Sequence, residues 1–325
     1  DAILGGKDAH FPSDIVAAYS VGGNLANQGG DAAKSYAALD SLEFSVCHEM
    51  FPTPTAMRCD VVLPAASSLE KSDIGIPWPG NFLLYKPRAL RSEGLARSDY
   101  DIFSELALRM GFGAAFSEGR SESEWIDTFL DASEVEDRDL FKRSGIYLGA
   151  DQERSGLSDF AADPAAHPLS TPSGKVELES ESYARLAGGR AIPVWRGSRV
   201  EAPFPLSLVT PKRADRVHSQ GSAREPRRPG GEERLQINRV DAAPRGIADG
   251  DLVRVRSARG TTRARAMLSE DIMPLVVSLP EGAWLDRDES GEDLAGSPNV
   301  LTATDGTGPS DSAVMHGIAV QVEKA

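Results

Sequence analysis

Apolar residues in the first 115 positions come in short runs that end in loop-forming residues. Residues 15–21, 43–48 and 60–63 are such runs, each of strand length and each followed by Gly, Asn or Pro. Between the first two, Ala33, Tyr36, Ala37 and Ala38 sit at helical spacing over 31–42, and Asp31 stands where an N-cap belongs. Strand, helix, strand in this order predicts parallel strands joined by crossover helices. A second helix is predicted over 99–110, with Ile102, Phe103, Leu106, Ala107 and Met110 on one face and Gly111 as its stop.

The pattern changes after residue 117. Residues 117–202 are acidic and broken by Pro and Gly, with one short helix near 124–130 and a turn signal at 171–174, and they read as a connector over the surface. From 203 onward the pattern is β: 206–210, 235–238, 252–256, 262–268, 276–280 and 318–322 are short β-branched runs at turn-like spacing, which predicts a small barrel. Residues 223–233, rich in Arg, Pro and Gly, are expected to form a mobile excursion. The fold class is thus a partial α/β parallel-sheet domain (1–116), a connector (117–202) and a mostly β barrel (203–325).

Composition narrows the function. A chain of 325 residues suffices for two cores. Its 35 basic and 49 acidic residues give a net charge of −14, which opposes binding to a phosphate backbone and argues against a nucleic-acid partner. No stretch approaches the roughly 20 apolar residues of a membrane span. Cys47 and Cys59 are too few for a four-thiolate cluster or a closed zinc site, and read as small buried hydrophobes.

Three polar segments fall after predicted strands, where ligands of parallel sheets bind. Residues 22–28, Gly-Gly-Asn-Leu-Ala-Asn-Gln, follow the first run and precede a helix, so Gly23 and its neighbours let the backbone approach a diphosphate beside Asn24 and Asn27. A plain turn explains such a segment equally well without its context. Residues 47–56, Cys-His-Glu-Met-Phe-Pro-Thr-Pro-Thr-Ala, precede 59–66, Cys-Asp-Val-Val-Leu-Pro-Ala-Ala. Residues 210–220, Thr-Pro-Lys-Arg-Ala-Asp-Arg-Val-His-Ser-Gln, open the β region.

Together these segments resemble the molybdopterin oxidoreductases of the dimethyl sulfoxide reductase superfamily, in which a metal sits between two pterin guanine dinucleotides. Residues 237–255, 282–284 and 296–302 continue the likeness in family order, and 160–174, 216–220 and 281–302 look most like the anaerobic dimethyl sulfoxide reductase catalytic subunit. The resemblance implies a dinucleotide-binding first domain and a pterin-binding barrel. It places Glu49 at the guanine-recognising position, where a carboxylate accepts the ring N–H and the exocyclic amine, and Thr53 beside it as a hydroxyl contact. Thr210, Lys212, Arg213, His218, Ser219, Gln220 and Asn299 are implied as contacts to pterin or phosphate. Cys59 stands where the family commonly has Ala, a small-for-small change.

The resemblance further implies bis-molybdopterin guanine dinucleotide carrying molybdenum, with tungsten as the alternative metal. The activity implied is oxygen-atom transfer from an S-oxide, N-oxide or related substrate. No catalytic residue and no metal ligand is assigned in this chain. It reads as the C-terminal portion of a catalytic subunit, and an iron-sulfur cluster is expected only in the N-terminal part. The chain alone is expected to be catalytically silent. Implied partners are that N-terminal part, an iron-sulfur electron-transfer subunit and a membrane anchor, and the likeness favours twin-arginine export to the periplasm over the cytoplasm. Two other readings stand beside this one: another superfamily member (a formate dehydrogenase, dehydroxylase or tungsten hydratase), and a cofactor-binding module without turnover.

Overall fold

The computed structural model describes residues 1–77, 80–150, 156–186, 188–189, 191–194, 200, 202–222, 233–307 and 312–325. Of the expected excursion at 223–233, all but Glu233 lies outside these residues. Packing divides the chain into two compact units, residues 1–47, 51–62 and 179–325 in one and residues 48–50 and 63–178 in the other.

The three predicted strands near the start are present as β1 (Ala17–Val21), β2 (Phe44–Glu49) and β3 (Val61–Pro64). They form a parallel sheet in the order β1-β2-β3. The helix Ala32–Asp40 begins where Asp31 accepts the Lys34 N–H at 3.0 Å. It buries Ala32, Tyr36 and Leu39 rather than the expected Ala33, Ala37 and Ala38. The reason is its neighbour, since these three side chains join the core of the barrel described below.

The smaller unit carries an antiparallel sheet of β4 (Asp73–Gly75), β5 (Phe82–Lys86) and β6 (Ile146–Leu148), in that order. The helix Asp99–Arg109 is capped by Ser98, whose hydroxyl accepts the Asp101 N–H. A Ser121/Glu124 capping box starts the helix Glu122–Asp131, and Asp137 caps Arg138–Ser144. Ile126, Leu130, Val135 and Phe141 form a small core with Leu83 and Tyr85 packed against it. Residues 122–148 therefore hold packed structure of their own, beyond the single short helix expected there.

The β region closes into a barrel of β7 (Leu206–Val209), β8 (Arg234–Asn238), β9 (Leu252–Arg256), β10 (Thr261–Ser269), β11 (Val276–Ser278) and, after the short pair β12 (Gly306–Thr307) and β13 (Ser312–Ala313), β14 (Ile318–Lys324). The order is β10-β8-β11-β7-β14-β9. Alternate residues point inward, as the period of two requires: Leu206 and Leu208, Leu235 and Ile237, Val253 and Val255, Ala264 and Ala266 are all buried. Among the described residues, no helix is long and apolar enough to cross a membrane.

Candidate functional site

The glycine-rich segment follows β1 as expected. Gly22 has φ +62°, a left-handed conformation that costs glycine nothing, and no atom lies within 4 Å of where its Cβ would be. Asn24 and Asn27 are both buried. The Thr55 hydroxyl sits between the two loops: it donates to Asn24 Oδ1 at 2.9 Å and accepts the Ala26 N–H at 2.9 Å. Thr53 is buried beside it, its hydroxyl accepting the Ala56 N–H at 3.2 Å. The Nδ2 of Asn24 and both amide atoms of Asn27 are buried with no partner among the described residues. A buried amide of this kind costs about 1–3 kcal/mol when nothing satisfies it, so the loop is shaped for polar groups from outside the described residues.

Asn299 lies in the short turn Pro298–Val300. Its Nδ2 donates to the carbonyls of Asn27 and Gly29 at 2.7 and 3.0 Å, so both of its hydrogens serve the glycine-rich loop. In the barrel, Thr210 directly follows β7, its hydroxyl donating to Met315 O at 2.7 Å and its N–H to His316 Nδ1 at 3.0 Å. Beyond it, His218 (φ +50°) places Nδ1 2.9 Å from Glu281 Oε1. Ser219 accepts the Trp284 indole N–H on its carbonyl at 2.8 Å, and Gln220 closes a turn on Val217. His218 and Gln220 are exposed and Ser219 is half-buried.

A cleft of about 1230 Å³ runs between the helix Ala32–Asp40 and the barrel. Its walls carry Arg58, Arg213, Arg216, Arg234, Arg265 and Arg287. Carboxylates restrain several of these: Arg58 pairs with Asp40, Arg213 with Asp215 and Glu233, and Arg216 with Glu233. The Arg213 guanidinium holds the Asp215 carboxyl below its ordinary range. The Arg58 guanidinium stacks 3.9 Å from the Tyr36 ring centroid; burial pushes the Tyr36 hydroxyl up, and Arg58 acts in the opposite direction.

Residues 6–109 match the family model described as Molybdopterin oxidoreductase, and residues 206–317 match the Molydopterin dinucleotide binding domain. The chain belongs to the molybdopterin oxidoreductase family. It is 34% identical to a biotin sulfoxide reductase of Cereibacter sphaeroides over 91% of this chain and 43% of that protein. It is 35% identical to the dimethyl sulfoxide/trimethylamine N-oxide reductase of the same organism, over 93% of this chain and 40% of that one. The chain thus spans well under half the length of these relatives. The structure of the acetylene hydratase from Pelobacter acetylenicus superposes with a TM-score of 0.76 over 97% of this chain and 45% of that chain, at 19% identity, and shares its fold.

The group this family holds is a molybdopterin cofactor with its metal, and the residues present fit it. The Nδ2 groups of Asn24 and Asn27, unpaired among the described residues, and the guanidinium-lined cleft are a donor set suited to diphosphate and heterocycle edges. Glu49 ends β2, its Oε1 accepting the Met50 N–H at 2.7 Å. Lys212 is exposed, while Arg213 is already held by Asp215 and Glu233. Sequence reasoning missed three residues that shape the site. Thr55 was visible only as the second Thr of Thr-Pro-Thr. Arg216 and Glu233 form a buried ion pair beneath the 217–220 loop, and nothing in their sequence spacing marks them as partners.

Proposed function

We propose that this chain is the C-terminal, cofactor-clamping portion of a bis-molybdopterin guanine dinucleotide oxidoreductase that reduces an S-oxide or N-oxide. When bound, the cofactor supplies the two-electron oxygen-atom chemistry. The chain's own residues bind and orient. Gly23, Asn24 and Asn27 offer backbone and amide groups to one dinucleotide, Glu49 accepts from its guanine and Thr53 adds a hydroxyl. Thr210, Lys212, Arg213, His218, Ser219 and Gln220 present the barrel side to pterin and phosphate. Asn299 has only Oδ1 left to present, because its Nδ2 supports the glycine-rich loop.

The observation that carries this reading is the Asn24 Nδ2 and the whole Asn27 amide, buried without a partner among the described residues in a glycine-rich loop at the end of a parallel strand. Similarity to S-oxide and N-oxide reductases supports the substrate class over the formate dehydrogenase and hydratase alternatives. The remaining machinery belongs to a larger subunit: the metal ligand, an iron-sulfur cluster and contacts to an electron-transfer subunit and anchor. Exposed Tyr19, Val21, Val61 and Val62 on the parallel sheet support a further part of the polypeptide covering it, since such sheets are normally covered on both faces. Periplasmic residence is the compartment this reading favours.

The test is retention of purified molybdopterin guanine dinucleotide by the chain, read as pterin fluorescence after gel filtration. Retention by the parent, lowered by about tenfold or more in Asn24→Leu, is the expected result. Retention unchanged by that substitution refutes the assignment. Dye-linked S-oxide and N-oxide reduction by the full subunit then separates a reductase from a clamp without turnover.

A further inference from the structure

The loop that carries His218, Ser219 and Gln220 is largely exposed, yet the residue at its start is one of the most deeply buried charges among the described residues. The Arg216 side chain is 2% exposed. Its Nη2 donates to Glu233 Oε1 at 2.6 Å and to Glu281 O at 3.1 Å, and its Nη1 donates to Ser222 Oγ at 3.3 Å. Ser222 Oγ in turn donates to Gly282 O at 3.1 Å. One guanidinium therefore ties both ends of the loop to the 281–282 segment.

The middle of the loop is fixed to the same segment. Trp284 Nε1 donates to Ser219 O, and at Gly282 (φ +97°) a Cβ would lie 1.9 Å from His218 O. His218 itself is left-handed, a conformation that costs a non-glycine residue about 1–2 kcal/mol and persists only where the surroundings impose it. The imposing contacts are those of Arg216, Gly282 and Trp284. A lysine could meet Glu233, but its single ammonium cannot also reach Ser222 and Glu281 O in the directions that a planar fork serves.

We infer that Arg216 is the positioning residue of this loop: its buried guanidinium, anchored on Glu233, holds residues 217–220 in the conformation that turns His218, Ser219 and Gln220 toward the ligand. The inference rests on the reading above that these three residues meet the cofactor. A purely structural ion pair would stabilise the barrel without governing the loop.

Two measurements on the 325-residue chain separate these roles. In chain labelled with 5-fluorotryptophan, the Trp284 resonance, assigned through Trp284→Phe, reports the Ser219 contact. Hydrogen exchange of residues 217–222, followed by mass spectrometry, reports the turn. Arg216→Met alone leaves the buried Glu233 charge with Arg213 as its cation and risks misfolding, so the deciding variant is Arg216→Met with Glu233→Leu, which puts an apolar pair in place of the two charges and leaves Arg213 its Asp215 partner. The expected result is a barrel that melts near the parent, with exchange at 217–222 faster by about tenfold or more and the Trp284 resonance moved toward its solvent value. Arg216→Lys should restore part of the protection, and pterin retention should fall with the loop readouts. Parent-like exchange and resonance in the double variant overturn the proposal, as does a loosened loop that retains the cofactor undiminished. If the parent retains no cofactor, the function proposed above fails while the loop measurements still decide the role of Arg216.

Discussion

Asn299 reaches back across 272 residues to Asn27, its Nδ2 donating to the Asn27 carbonyl at 2.7 Å and to the Gly29 carbonyl at 3.0 Å. The neighbouring turn completes the fastening. Thr302 donates to Asn299 O and accepts the Asp31 N–H on its own carbonyl, and Gly30 lies where a Cβ would sit 2.3 Å from Ala303 O. The glycine-rich loop is thus held from the barrel side by one short turn. Asn299→Leu keeps the volume and removes both donors, and is expected to destabilise the larger unit by about 1–3 kcal/mol for each carbonyl left unpaired. Asn299→Asp, which turns a carboxylate on the two carbonyls, should cost more. Urea unfolding followed by circular dichroism measures both, and an unchanged midpoint for Asn299→Leu would show that the fastening carries no weight.

Thr55 holds the other side of the same loop. Its hydroxyl bridges Asn24 Oδ1 and the Ala26 N–H, both buried. Thr55→Val is nearly isosteric, strands the Ala26 N–H and leaves Asn24 Oδ1 with the long 3.4 Å bond from the Thr55 N–H, so a loss of about 1–3 kcal/mol is expected, with Thr55→Ser close to the parent. Equal stability of the Val and Ser variants would contradict the bridge.

The strands were legible because their periods are local. The barrel's six runs and the three early strands could be read from alternation and turn residues, and β9 matches its predicted span of 252–256. Asp31 was legible as a cap for the same reason. Less visible was the buried face of the helix Ala32–Asp40, because Ala32 and Leu39 are selected by the barrel core rather than by the helix's own pattern. The small core around Leu130 and Phe141 was hidden by the acidic composition around it and the glycines that flank it, Gly119 and Gly145. At the site, motif residues could be named, but the groups that hold them could not. Arg216 and Glu233 meet only in the folded chain, and the commitment of Asn299 Nδ2 to Asn27 is a tertiary fact.

Glu292 gives the barrel a defined acid sensitivity. It is 11% exposed and accepts from Arg263 Nη2 and from Arg254 Nε, each at 2.7 Å. These hydrogen bonds, Arg263's first, hold its carboxyl below the ordinary glutamate value of 4.5. On acidification the unfolded chain takes up this proton before the folded one does, so the stabilisation is complete above the unfolded value and is lost as pH falls through the folded one. Glu292→Gln should lower stability at neutral pH, where it leaves two half-buried guanidinium groups short of an anion, and should flatten the decline below about pH 4.5. Thermal melts of both proteins from neutral to acid pH check this, and parallel acid slopes would assign the pH dependence to other carboxylates.

Asn27 separates a binding residue from a structural one by the sign of its effect. A structural asparagine stabilises through its side-chain bonds, and its loss is destabilising. Here Nδ2 and Oδ1 are both buried without a partner among the described residues, so the side chain costs the ligand-free chain stability. Asn27→Leu fills similar space without polar atoms, and is expected to raise the stability of the chain alone by about 1–2 kcal/mol. The same substitution removes a donor and an acceptor that the proposed function assigns to the dinucleotide, and should lower pterin retention by about tenfold or more. Opposite movement of the two quantities in one variant is what a residue kept for its ligand produces. If Asn27→Leu instead loses stability in the ligand-free chain, the amide has a partner within the protein, and its place among the cofactor contacts has to be withdrawn.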